Sequence, residues 1–280
     1  APIVGPVIGG WLTDNFSWRW VFFINLPIGI LSVLMTRAFI EDPPYIKKDK
    51  TQIDYIGFSF MAVGLGALQI VLDKGQEVDW FQSSWLCKMT ALTCVSLAAF
   101  IVWELRTKNP VVNLRILKDR NFSFGLVAAM FIGASMYGIM TLMPLFYQTL
   151  LGYSAYLSGL ASASLGIGAF VSAVAVGLLT RYFDGRIFFA SGLLILGVAC
   201  FCMAGINLQI GMFSMLLPII AIGFGISTAF VPLSLLTVGR LANKDMGNGS
   251  GLFNLMRNIG GSVGIAMTTT MLARMSQIHQ

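Results

Sequence analysis

Charge is scarce in this sequence, with 12 acidic and 18 basic side chains among 280 residues, or 11%, where a soluble domain carries about 25%. A soluble chain of this length would form roughly two domains, and so few polar groups could not cover the surface of either. Histidine is all but missing, the single His279 standing beside the last residue. Cys87 and Cys94 are seven apart and Cys200 and Cys202 two apart, and neither spacing is that of a zinc or redox motif. Buried, inert thiols are expected. His, Cys and carboxylates do not cluster in the apolar stretches, which leaves a metal site, a nucleophile with its base and a bound cofactor without support, and argues against an enzyme. The composition also excludes a disulfide scaffold and a disordered tail. The net charge of +6 is spread through short loops without stacking aromatics, which excludes nucleic acid as a partner.

What the chain has instead is apolar length: 56% of it is hydrophobic, with a mean hydropathy of +0.80. Windows of about 19 residues pick out stretches over 20–39, 55–72, 85–103, 122–143, 157–180, 187–206, 211–236 and 249–273. An opening run over 1–12 precedes them; as a helix it reaches about 18 Å, short of the roughly 30 Å of hydrocarbon. It reads as the end of a membrane helix whose beginning lies upstream, since it has no basic n-region or cleavage site. The stretches are too long and too evenly apolar for barrel strands. The expected fold is therefore all-α, a polytopic transmembrane helix bundle of about nine segments with the first truncated, and its first partner is the lipid bilayer. Thirteen of the 18 basic residues fall in one set of alternate loops, four in the other, and Arg257 inside a segment. That bias puts the first set in the cytoplasm. All six tryptophans fall near segment ends, as an aromatic belt requires.

Several strings carry more specific information. Gly5-Pro6-Val7-Ile8-Gly9-Gly10 places Gly5 and Gly9 on one helix face, which allows a neighbouring backbone to come close. A turn, Thr13 to Trp20, and then Phe22-Phe23-Ile24-Asn25-Leu26-Pro27-Ile28-Gly29 follow it. Further on stand Leu68-Gln69-Ile70-Val71-Leu72-Asp73-Lys74-Gly75, Trp103-Glu104-Leu105 with Asn109-Pro110, Arg120-Asn121-Phe122, and Arg257-Asn258-Ile259-Gly260-Gly261-Ser262-Val263-Gly264. Together these strings resemble the antiporter motif and later helices of drug:proton antiporters of the major facilitator superfamily, in the fourteen-helix multidrug-exporter branch. Gly9-Gly10 and Gly260-Gly261 would then occupy corresponding helices of two parallel repeats.

The resemblance implies helices five to thirteen of that fold. Residues 1–39 would be the last two helices of the N-terminal bundle, and 122–280 the first five of the C-terminal one. Residues 40–121 would hold two cytoplasmic loops and two inserted helices. It also implies proton-coupled export of small hydrophobic drugs across a bacterial inner membrane by alternating access, with a periplasmic adaptor and outer-membrane channel as partners. A native metabolite or siderophore is the alternative cargo. In this frame Gly5, Pro6, Gly9 and Gly10 form a helix contact that limits leak, and Gly9→Leu is expected to abolish efflux.

Arg257 is the one ionisable residue deep in a complete stretch, where a charge costs at least ~2.5 kcal/mol. Asn254, Arg257, Asn258 and Gly261 share a helix face and read as a coupling or cavity stripe, or else as an arginine that reaches an interface or neutralises a structural acid. Asp14, Asp54, Asp73, Glu104 and Asp184 all fall at segment ends or in loops. The acid that a proton-coupled antiporter needs is expected on a helix upstream of this sequence. Arg181, Asp184 and Arg186 occupy the loop where the superfamily's second gate is expected, and read equally as a charge latch or a solvated turn. Asn25, Met136, Tyr137, Met140 and Gln148 are the substrate-cavity candidates, as adaptable polar, methionine and aromatic groups, with ordinary packing as the alternative for each.

Overall fold

The computed structural model describes residues 2–40, 54–78, 80–107, 110–206, 211–242 and 245–278. Lys47, Lys48 and Lys50 and also His279 lie outside them. The order is α1 (Val4–Asn15), α2 (Trp20–Phe23), α3 (Asn25–Phe39), α4 (Tyr55–Lys74), α5 (Ser84–Arg106), α6 (Arg120–Leu145), α7 (Ala155–Leu179), α8 (Gly185–Ala204), α9 (Met212–Val238) and α10 (Met246–Ile278). No strand occurs among the described residues. Among the described residues seven helical spans are long and apolar enough to cross a membrane: Trp20–Phe39, Tyr55–Lys74, Ser84–Arg106, Arg120–Leu150, Ala155–Leu179, Gly185–Ala204 and Ser214–Val238. The other two expected segments are helical as well. At 12 residues α1 is short, and α10, at 33, carries the polar stripe that lowers its hydropathy.

Side chains fix where several helices begin. Backbone N–H groups in a first turn have no partner of their own. Asp54 accepts from Gly57 N at 2.9 Å at the head of α4, and Asp119 from Phe122 N at 3.0 Å at the head of α6. Ser154 and Asp184 do the same for α7 and α8, accepting from Leu157 N at 3.3 Å and Arg186 N at 3.1 Å. The expected segment over 20–39 is interrupted at Ile24, where α2 ends after one turn. Pro27 has no N–H to give the carbonyl of Phe23, and Asn25 donates its side-chain amide to the Val21 carbonyl at 3.0 Å. Pro144 likewise perturbs the end of α6, which continues as a π turn over Phe146–Leu150.

The chain forms two compact units. One holds residues 1–51, 143–174 and 194–227, with a core of Tyr147, Ala161, Met215 and Ile219. The other holds 52–142, 175–193 and 228–280. In it Phe122, Leu126, Ala129 and Ile132 of α6 pack with Ala229 and Leu233 of α9 and with Leu252 and Phe253 of α10. Large apolar side chains such as Phe201, Leu217 and Phe131 stay exposed, as lipid-facing residues of a membrane bundle do.

Candidate functional site

In the second unit the polar face of α10 is built on a seam with α6 that leaves no room for side chains. A Cβ on Gly133 would strike the Arg257 carbonyl and lie 3.1 Å from its Cα; one on Gly260 would strike the Met130 carbonyl and lie 2.8 Å from its Cα. Gly264 meets the backbone of Ala134 in the same way. Gly261 lies under the ring of Tyr137, whose hydroxyl donates to Asn258 Oδ1 at 3.4 Å. Backbones this close are what small residues at membrane helix interfaces permit.

Arg257 is held on this seam. Its guanidinium sits 5.4 Å from the ring centre of Phe230 on α9, and Phe230 packs in turn on Phe253. Its Nε is buried without a hydrogen-bond partner, and no carboxylate among the described residues pairs with it. A cation–π contact supplies about 2 kcal/mol or more when desolvated and leaves the guanidinium free to attract an anion. Of the expected stripe, Asn258 and Gly261 come together with Tyr137, while Arg257 turns to Phe230 and Asn254 donates to the Ser250 carbonyl of its own helix at 2.9 Å.

On the other side of α10 lies α4. Ser262 Oγ donates to Gln69 Oε1 at 2.5 Å, and Gln69 Nε2 donates to Asp73 Oδ1 at 2.9 Å. Beside this relay is an open cleft of about 140 Å³, lined by Leu68, Gln69, Asn258 and Ser262 among others. That is less than the few hundred Å³ of a site that encloses a drug-sized ligand. Gln69 is therefore a polar anchor of α4, a role that its isolated place in an apolar run did not reveal.

In the first unit α1 meets α7 through interleaved small residues. A Cβ on Gly10 would strike the Ala155 carbonyl and lie 2.9 Å from the Tyr156 Cα; one on Gly159 would strike the Pro6 carbonyl. Gly166 lies against Pro2 and Ile3. The expected contact thus runs through Gly10 and Pro6, not through Gly5 and Gly9, at which an added Cβ meets nothing within 4 Å. The i, i+4 pair faces away from α7, so this seam supplies no steric reason for Gly9→Leu to block transport. Gly168 and Gly223 make the equivalent close approach between α7 and α9. At the end of α1, Asp14 accepts from Ala155 N at 3.2 Å and from Tyr156 N at 2.8 Å. The Tyr156 N–H, then the Ser154 hydroxyl and the Ala155 N–H, hold its carboxyl below the usual aspartate range.

The remaining candidates are divided between the two units. Asn25 and Gln148 belong to the first unit, where Gln148 donates to Ser158 Oγ at 3.4 Å. Met136 is half-buried on α6 and Met140 exposed. Arg181, Asp184 and Arg186 form no side-chain latch: all three are exposed, and Asp184 is engaged in capping α8.

A family model described as Major Facilitator Superfamily matches residues 1–265. The chain belongs to the major facilitator superfamily. It is 34% identical to the fatty acid resistance protein FarB of Neisseria gonorrhoeae over its whole length, covering 55% of that protein. It is also 34% identical to the multidrug export protein EmrB of Escherichia coli, of which it covers 54%. The multidrug transporter protein MdtP of Bacillus subtilis is 27% identical over 95% of the chain. The chain spans about half the length of the curated relatives it matches. Superfamily membership and the seven apolar spans found among the described residues make this a multi-pass bacterial inner-membrane protein, and the relatives named here are transporters.

Proposed function

We propose that the protein exports small hydrophobic compounds across the inner membrane in exchange for protons, by alternating access between helix bundles. The observation that carries this reading is the match of the whole chain to proteins named for multidrug export. Arg257 supports it: a cation kept in an apolar bundle at a cost, held over the Phe230 ring, is a functional group by default in a membrane protein. The glycine seam of α1 and α7 supports a tight, leak-limiting closure. A periplasmic adaptor and an outer-membrane channel are the partners that the family reading supplies, and the protein itself acts as a transporter with no enzymatic step.

A second reading concerns the cargo. Arg257, with no carboxylate beside it among the described residues, favours an amphipathic acid, and one relative is named for fatty acid resistance. The test is efflux from pump-deficient cells expressing the full-length protein, with ethidium and a medium-chain fatty acid as separate cargoes. Proton-coupled drug export requires ethidium efflux that stops on adding a protonophore. Fatty-acid efflux alone would move the protein to the second reading, and no efflux of either cargo from correctly inserted protein would overturn both.

A further inference from the structure

Glu104 stands at a segment end in the sequence, yet it is only 4% exposed. Its Oε2 accepts from Val112 N at 3.4 Å, while Oε1 is buried with no hydrogen-bond partner. A second carboxylate converges on it. Asp54 uses Oδ1 to cap α4 and Oδ2 to accept from Trp103 Nε1 at 2.8 Å. The two acids meet across Gly57, where a Cβ would fall 2.7 Å from Asp54 Oδ2 and 2.9 Å from Glu104 Oε1. With no side chain at Gly57, both carboxyl groups can turn into the space beside its Cα. Among the described residues the charged groups around the pair are Arg106 on the same helix and Arg115 on the Leu114–Lys118 turn, which line a cleft of about 360 Å³ with Glu104. Asp245, before α10, is held by Asn113 at 3.4 Å. Among the described residues none of these forms an ion pair with Glu104 or Asp54.

Two carboxylates that share a desolvated site do not both ionise. An ionised oxygen buried without a donor is costly, whereas a proton placed on it becomes a donor that the neighbouring carboxylate can accept. We propose that Asp54 and Glu104, at the open end of the α4–α5 hairpin, form a proton-binding site in which the two carboxyl groups hold one proton between them. The site lies at the basic-loop face of the hairpin, on residues separate from the Arg257 seam, and does not depend on which compound the protein exports.

Dicyclohexylcarbodiimide, which modifies protonated carboxyl groups in apolar surroundings, tests this on the full-length protein in native membranes without substrate, read by peptide mass spectrometry across pH. Glu104 is expected to be labelled at neutral pH, with labelling lost as the pH rises. Asp54→Asn keeps a good helix cap and removes the neighbouring charge, so the pH of half-labelling should fall by about one unit or more. Gly57→Ala, which retains both acids and forces them apart, should shift it in the same direction. Three results would overturn the proposal: Glu104 unlabelled at every pH in folded protein, a half-labelling pH unchanged by Asp54→Asn, or saturable protection by sodium at fixed pH, which would make the ligand a metal cation.

Discussion

Asp14 ties the end of one helix to the start of another. Its carboxylate accepts from Tyr156 N and Ala155 N, the first N–H groups of α7, which have no partner within that helix, and negative charge there also meets the positive end of the helix dipole. These donors lower the acid's pKa in the folded protein, the Tyr156 N–H most, so the unfolded chain binds its proton more readily. The resulting stabilisation is fully present above the ordinary aspartate pKa of about 3.9 and is lost as pH falls through the lower folded value. Asp14→Ala should therefore reduce the melting temperature of the detergent-purified protein at pH 6, and the gap to wild type should close as the pH is taken below about 4. A gap that stays constant with pH would mean that the carboxylate contributes by shape and not by charge. The place of Asp14 at a segment end was readable from the sequence, but its tie to residues 155 and 156 was not, because no local pattern encodes a contact across 142 positions.

The helices themselves were legible because lipid removes the usual ambiguity: a run of about 20 apolar residues has no other way to satisfy its backbone in a bilayer. Their pairing was less so. Glycine spacing marked α1 as a close-packing helix, but Gly5, Gly9 and Gly10 are all compatible with a contact by composition, and only the position of α7 separates Gly10 from the other two. Gly159, Gly166, Gly168 and Gly223 lay in apolar runs with no flag at all. The seam itself gives a sharp expectation. A branched side chain at Gly10 or Gly159 must displace backbone of the opposite helix, and overpacking of this kind costs about 1–3 kcal/mol. Gly197 on α8 has nothing within 4 Å of an added Cβ, and a surface change of that kind stays within about 0.5 kcal/mol. Gly10→Val and Gly159→Val should each lower the thermal stability of the purified protein and reduce transport, while Gly197→Val should do neither. Equal effects at all three positions would remove the distinction on which the α1–α7 seam rests.

At the scale of the whole molecule, the order of helices and the bias of basic residues fix which end of each span faces which compartment. Phe81, 64% exposed, precedes α5, and Leu150, 57% exposed, ends the span that begins at α6. Thr107 follows α5, and Tyr182, 80% exposed, lies between α7 and α8. Thirteen of the 18 basic residues lie on the side of Thr107 and Tyr182, and positively charged loops are retained in the cytoplasm. Single cysteines at these four positions, introduced after Cys87, Cys94, Cys200 and Cys202 are replaced by serine, make the assignment measurable. A membrane-impermeant maleimide should label Phe81→Cys and Leu150→Cys in cells with a permeable outer envelope and an intact inner membrane. Thr107→Cys and Tyr182→Cys should label only once the inner membrane is opened. Because α5, α6 with its π turn, and α7 follow one another as single passes, the four positions must alternate together. One site on the wrong side would mean that a span does not cross, and all four reversed would mean that the basic loops do not set the orientation. Since Asp54 and Glu104 lie at the Thr107 end of the hairpin, the expected orientation also opens the proton site proposed there toward the cytoplasm, and the reverse result would open it to the periplasm.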